Sequence, residues 1–136
     1  MTLINTAGMS TGDNLLAARR FFDECWNEGR LDVVDELLAP EHVHHFADGD
    51  VVGREDVKGL IRDLRDDFPD FHISVDDDFA VEDKVVLRWT IRGTHAPTGN
   101  SVEYTGIDII RFIDGRIVEL WNQGDYVGLN RQLETQ

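Results

Sequence analysis

Cysteine is almost absent from this chain, with Cys25 the one example in 136 residues. A single thiol excludes an internal disulfide, so the fold must rest on a packed core, and a reducing cytoplasm is its simplest setting. Cys25 itself lies in FFDECW on an apolar helical stripe, where a free thiol packs as a small hydrophobe. Lysine is nearly as scarce: Lys58 and Lys84 stand against 11 arginines. Lys and Arg together number 13 against 27 Asp and Glu, a net charge of −14. That balance excludes nucleic acid as a partner, because phosphate contacts need clustered cations. No apolar run approaches the roughly 18 residues of a membrane span. The opening MTLINTAGMSTG lacks the basic and apolar regions of a secretion signal. A cytoplasmic protein with no membrane association is therefore expected.

What the chain does have is hydrophobic content of 41%, enough to build a core in a single domain of 15.5 kDa. Its acidity is mostly aspartate, 18 residues against 9 glutamates. A short-chain, strongly hydrated acidic surface with little lysine fits a high-salt cytoplasm, where screening relieves self-repulsion. An acidic protein from an arginine-preferring genome is the plainer alternative.

Periodicity divides the chain in two. Residues 1–10 are small and polar and read as a flexible tail; residues 11–136 read as one domain. Ser10, Thr11 or Asp13 can cap a helix with Leu15, Ala18, Phe22, Cys25 and Trp26 on one stripe. Leu31 to Leu38 predicts a short second helix closed by Pro40, and HVHHF a short strand. After Gly53, a third helix has Val57, Leu60, Ile61, Leu64 and Phe68 spaced for one buried face, and Pro69 stops it. The period then switches to two. Phe71, Ile73, Val75, Phe79 and Val81 alternate with polar residues, as do Val85, Leu87, Trp89 and Ile91. Val102, Tyr104, Asp108, Ile110 and Phe112 share a third strand face, with Gly106 read as a bulge. Asp114-Gly115 is a strong hairpin signal leading into the last strand, Arg116 to Tyr126, and Val127 to Leu133 reads as a final helical turn. Helices followed by a meander predict an α+β fold: a cone of three N-terminal helices on a curved antiparallel sheet, enclosing an apolar pocket.

Counting by two along the last strand, Ile117, Glu119, Trp121, Gln123 and Asp125 share a face. An aromatic followed by an amide and a carboxylate suits a pocket wall better than a core. Asp125 beside Trp121 in an apolar cavity would have its pKa raised by desolvation, which suits proton abstraction near neutral pH. His95 falls on the Trp89–Ile91 face, either satisfied by a backbone carbonyl or donating to a developing enolate oxygen. Trp26 and Phe68 read as core, Trp89 as core that also lines the pocket, and Tyr104 as pocket lining on its own strand face. His42 and His44 share one strand face and His45 the other. With no cysteine nearby and no tetrahedral spacing, no metal is expected, and His45 is expected to point into the cavity. Asp76–Asp78 reads as a solvated edge whose spacing is too short for a calcium loop. Asp108 and Arg111, candidates for an Asp–Arg–Asp epoxide-hydrolase relay, fall on opposite strand faces.

From about Leu15 to Leu133 the chain resembles the SnoaL-like polyketide cyclases, a branch of the nuclear-transport-factor-2-like superfamily. The matching pieces are FFDECWNEGRLDVVDELLAPEHVHH, the Gly53-Arg54-Glu55 helix start, DFPDFHISVDD, VVLRWTIRGTH, PTGNSVEYTGIDIIRF and DGRIVELWNQGDYVGLNRQL. The resemblance implies an acid/base aspartate at the W-x-x-x-D position, here Asp125 after Trp121, with His95 and His45 as pocket residues. It further implies an intramolecular aldol closure without metal or organic cofactor, and a homodimer formed through the outer sheet face. The chain departs from the family where Ala96-Pro97 follows His95 at once, in place of a longer glycine-rich insertion. The expected function is a cofactor-free cyclase or isomerase acting on an apolar, carbonyl-containing small molecule. The alternative is a non-catalytic module that binds such a molecule in the same cone.

Overall fold

The computed structural model describes residues 10–134, so the tail expected over residues 1–10 lies, apart from Ser10, outside the described residues. Helix α1 (Thr11–Arg20) starts at a reciprocal cap. The Ser10 hydroxyl accepts from the Asp13 amide at 3.0 Å, and the Asp13 carboxylate accepts from the Ser10 amide at 3.3 Å. Such caps contribute about 1 kcal/mol by satisfying amides that have no partner in the first turn. The helix continues as wider π turns over Phe21–Asn27, which bury Phe21, Phe22, Cys25 and Trp26 together. Arginines 19 and 20 lie on its outer side, Arg19 paired with Asp78 and Arg20 with Glu24 and Glu36.

Helix α2 (Leu31–Leu37) buries Val33, Val34 and Leu37 and runs directly into strand β1 (Leu38–Phe46), which passes through Pro40. Strand β2 (Gly49–Val52) folds back on β1, and Gly53, at φ 86°, turns the chain into helix α3 (Arg54–Asp67). Strands β3 (His72–Val81), β4 (Lys84–Thr94), β5 (Ser101–Ile113) and β6 (Arg116–Gly124) follow, then helix α4 (Tyr126–Glu134). At the β5–β6 turn Asp114 and Gly115 both have positive φ, 50° and 78°, the geometry that Asp-Gly favours in a two-residue hairpin.

The architecture is α+β, as expected, with four helices and a six-stranded sheet of order β2-β1-β6-β5-β4-β3 among the described residues. The sheet is mixed where a purely antiparallel one was expected: β1 lies parallel to β6, because the helical segment between β2 and β3 and the long meander bring the last strand back beside the first. Helices and the concave face share one hydrophobic core around Phe21, Trp89, Ile110 and Leu120.

Two single-residue bulges decide which side chains face that core. In β3, Val75 pairs with Trp89 and Asp77 with Arg88, leaving Asp76 as the extra residue. In β6, Ile117 pairs with Phe112 and Glu119 with Arg111, leaving Val118 extra. Each bulge shifts the alternation by one, so every side chain beyond it changes face. Phe79 and Val81, expected inward, are 53% and 56% exposed. On β6, Leu120 and Asn122 point inward, while Trp121 and Gln123 do not share the Ile117 face. Gly106, by contrast, is no bulge: it pairs in register with Trp89 and Gly124.

Candidate active site

Gly106 has a steric task. A Cβ there would lie 2.3 Å from Cζ2 of Trp89, and one at Gly124 would lie 3.2 Å from its Cη2. The two glycines on β5 and β6 therefore clear a bed across which the Trp89 indole can lie. So placed, the indole Nε1 donates to Oδ1 of Asp108 at 3.1 Å, one inward position further along β5. Asn122 Nδ2 donates to the same oxygen at 2.9 Å from the paired position on β6. The Tyr126 hydroxyl, at the start of α4, donates to Asn122 Oδ1 at 2.7 Å. Trp89, Asp108 and Asn122 are all buried. Asp108 is thus a carboxyl fixed by two neutral donors on one oxygen, with no cation beside it.

The electrostatics follow from that. Burial pushes the Asp108 carboxyl up to about 7, and the hydrogen bonds from Trp89 and Asn122 offset only part of the rise. Burial also pushes the Tyr126 phenol up to about 12 and raises that of Tyr104, so both stay protonated. A carboxyl raised to about 7 can exchange a proton near neutral pH.

Asp108, Asn122 and Tyr126 line a cavity of about 600 Å³ between the concave sheet face and the helices. Its walls are apolar and aromatic, with Phe22, Trp26, Leu64, Phe71 and Ile73 among them. The β1–β2 hairpin, including Asp48 in its turn and Asp50 on β2, forms one side, and no lysine or arginine is among the described lining residues. His44 also lines the cavity, its ring stacked on Phe46 with centroids 4.6 Å apart. Burial pushes His44 down to about 3 and His42 down to about 4, so both rings are neutral. Among the described residues no cluster of His, Cys, Asp and Glu is arranged to hold a metal ion.

The residues singled out from sequence divide between two faces. Trp89 and Tyr104 line the cavity. Asp125 does not: it is exposed, its Oδ1 accepts from the Gly128 amide at 2.9 Å, and it caps α4. Trp121 and Gln123 lie outside the cavity lining because the Val118 bulge has reversed their face. His45 pairs in register with Trp121, stacks on it at 5.5 Å and bridges Glu119 at 2.7 Å and Asp50 at 2.8 Å. Those carboxylates, Glu119 foremost, raise its pKa, the reverse of what burial does to His44. His95 sits past the end of β4, its Nδ1 2.9 Å from the Thr98 hydroxyl and its ring against Phe68, also outside the cavity lining. Asp108 was visible in sequence as a lone carboxylate on an otherwise apolar strand face. Asn122 was hidden by the bulge, and His44 by the choice of face for β1.

A curved mixed sheet wrapped on helices around a pocket that holds a buried carboxyl defines a nuclear-transport-factor-2-like cone. Within that class the chain belongs to the SnoaL-like polyketide cyclase family, whose model matches residues 16–133. IdmH from Streptomyces antibioticus, a candidate polyketide cyclase, is 31% identical with a TM-score of 0.77, over 88% of this chain and 97% of that one. TsrD from Streptomyces laurentii is 26% identical with a TM-score of 0.84, over 94% and 99%. A SnoaL-like protein from Jannaschia sp. CCS1, at 20% identity, shares the fold with a TM-score of 0.86 over 100% and 99% of the two chains. Comparison with curated proteins gives no match. Family membership supports a cyclase or isomerase function on a small-molecule substrate. No helix among the described residues is long and apolar enough to cross a membrane.

Proposed function

We propose that the protein is a cofactor-free cyclase or isomerase in which Asp108, not Asp125, transfers the proton. The ionised Asp108 takes a proton alpha to a ligand carbonyl, leaving an enolate. The enolate carbon attacks a second carbonyl of the same molecule, one C–C bond forms, and the alkoxide recovers the proton from Asp108. Atoms and oxidation state balance within the substrate and one carboxyl, so no redox partner is called for. The observation that carries this reading is a carboxyl pushed up to about 7 inside an apolar cavity of about 600 Å³. A lining with acidic residues and no cation favours an uncharged, carbonyl-containing apolar ligand.

The same proposal includes a homodimer. On the outer sheet face Phe79, Val86, Ile109 and Trp121 pair in one row across β3, β4, β5 and β6. Ile107 and Ile113 flank it, 46% and 52% exposed. A contiguous apolar row of this kind supports a self-complementary contact with a second copy. The aspartate-rich exterior fits a high-salt cytoplasm.

Deuterium exchange alpha to the carbonyl of 2-tetralone, followed by NMR in D₂O, tests the chemistry without the natural substrate. Wild type should accelerate exchange, and Asp108→Asn should reduce the acceleration by about 10²–10⁴. Asp125→Asn, which keeps a capping side chain, should leave it unchanged. Full exchange activity in Asp108→Asn, or its loss in Asp125→Asn, would overturn the assignment.

A further inference from the structure

Proton removal alpha to a carbonyl moves an electron pair onto the carbonyl oxygen, and that charge needs a hydrogen-bond donor in a cavity whose described lining has no lysine or arginine. The donors around Asp108 are already in use. Trp89 gives its one N–H to Asp108, Tyr126 gives its one O–H to Asn122, and Asn122 turns Nδ2 onto Asp108. Tyr104 is different. It is only 5% exposed, and its hydroxyl has no hydrogen-bond partner among the described residues. The oxygen is not sealed off by packing, as the nitrogens of His42 and Nδ1 of His44 are, and Tyr104 lines the cavity. A hydroxyl left unmatched in an apolar setting destabilises the fold, and a phenylalanine would fill the same space without that cost. A ligand oxygen in the cavity would satisfy it.

Its place relative to Asp108 is fixed by β5. Tyr104, Gly106 and Asp108 follow one another on the inward face, and Gly106 puts no side chain between the other two. The Trp89 indole fills that gap, perpendicular to Tyr104 with ring centroids 5.9 Å apart, and its Nε1 reaches Asp108. The Tyr126 ring, also 5.9 Å from Tyr104, carries the hydroxyl bonded to Asn122. Tyr104 therefore stands one ring away from the Asp108 network on both sides. Burial raises its pKa, so the phenol keeps its proton. His95, read from sequence as a donor to an enolate, lies outside the cavity lining. We propose that Tyr104 is a second catalytic residue: its hydroxyl donates to the ligand carbonyl whose alpha proton Asp108 removes, and it holds the enolate oxygen until the new C–C bond forms. As the C–H bond breaks, the proton passes to Asp108 and the electron pair to the oxygen facing Tyr104. Tyr104 keeps its own proton throughout, so the balance of the cycle is unchanged. This deepens the proposed function by assigning the group that polarises the carbonyl, and it rests on the cavity being the ligand site.

2-Tetralone labelled with ¹³C at its carbonyl tests the contact by NMR without turnover. Bound to Asp108→Asn, its carbonyl resonance should lie downfield of its position in the double variant that also carries Tyr104→Phe. The Tyr104 ring carbon that bears the hydroxyl should shift when 2-tetralone binds to Asp108→Asn, a measurement that stands even if the phenylalanine variant fails to fold. Tyr104→Phe alone should slow alpha-proton exchange on 2-tetralone by about 10²–10³, the loss of one donor to a developing oxyanion. The Asp108 titration midpoint should stay at its wild-type position in that variant, which a merely structural role for Tyr104 would not give. A loss of less than about tenfold, a loss accompanied by a displaced Asp108 midpoint, identical carbonyl resonances in the two variants, an unmoved Tyr104 ring carbon, or no binding of the probe would each overturn the proposal. Exchange that survives Asp108→Asn would strike the Asp108 assignment alone, because the carbonyl resonance reads Tyr104 separately.

Discussion

Replacing Asp108 by asparagine should stabilise the protein in alkaline solution and leave it unchanged in acid. Asparagine keeps the oxygen that accepts from Trp89 and Asn122 and removes the ionisable group. The Asp108 carboxyl has an ordinary value of 3.8 and is pushed up to about 7 by burial in the fold. Between those two values the native state binds a proton that the unfolded chain has lost, so stability falls as pH rises. Above about 7 the loss is complete. At about 1.4 kcal/mol per pH unit it is on the order of 4 kcal/mol, which for a domain of this size corresponds to roughly 15 °C in Tm. His42 and His44, both pushed down by burial, work in the opposite sense. They withdraw stability as pH falls below about 6.5, but equally in both proteins, so they cancel in the difference. Thermal melts of wild type and Asp108→Asn from pH 3 to pH 9 should coincide at the acid end and diverge from about pH 4 upward, the variant higher. Parallel curves across the whole range would refute burial as the source of the Asp108 shift.

Gly106→Ala would bring a methyl group to 2.3 Å from the Trp89 ring. It should cost about 1–3 kcal/mol in urea unfolding and lower the alpha-proton exchange rate by displacing the indole from Asp108. Ile109→Arg, on the outer face, should convert a sedimenting dimer to a 15.5 kDa species; wild type that sediments only as the monomer at micromolar concentration in molar salt would rule the dimer out. Melting temperature should rise strongly from low to molar KCl as the charge of −14 is screened, and a flat response would favour the plainer reading of the acidic composition.

The helices were legible because their signals are local. Ser10 and Asp13 cap, Pro69 follows α3, and Val57 and Ile61 repeat on the buried face. Asp114-Gly115 announced its hairpin for the same reason. What sequence did not carry was the reversal of faces at Asp76 and Val118, since an extra residue in one strand is defined by its partner across the ladder. Counting by two through Val118 moved Trp121, Gln123 and Asp125 onto the pocket face and hid Asn122. Parallel pairing of β1 with β6 joins segments far apart in the chain, so the pattern HVHHF, with histidines on both faces, could not say which one looked inward. Asp108 needed no bulge to be placed, because Val102, Tyr104, Ile110 and Phe112 already marked its face as the core side.

The side-chain carboxyl carbon of Asp108, followed by ¹³C NMR as pH is varied, reports most directly on whether burial tunes this group for proton transfer near neutrality. A wild-type midpoint near 7 is the predicted result, and a midpoint below about 5, in the range of ordinary carboxylates, would contradict it.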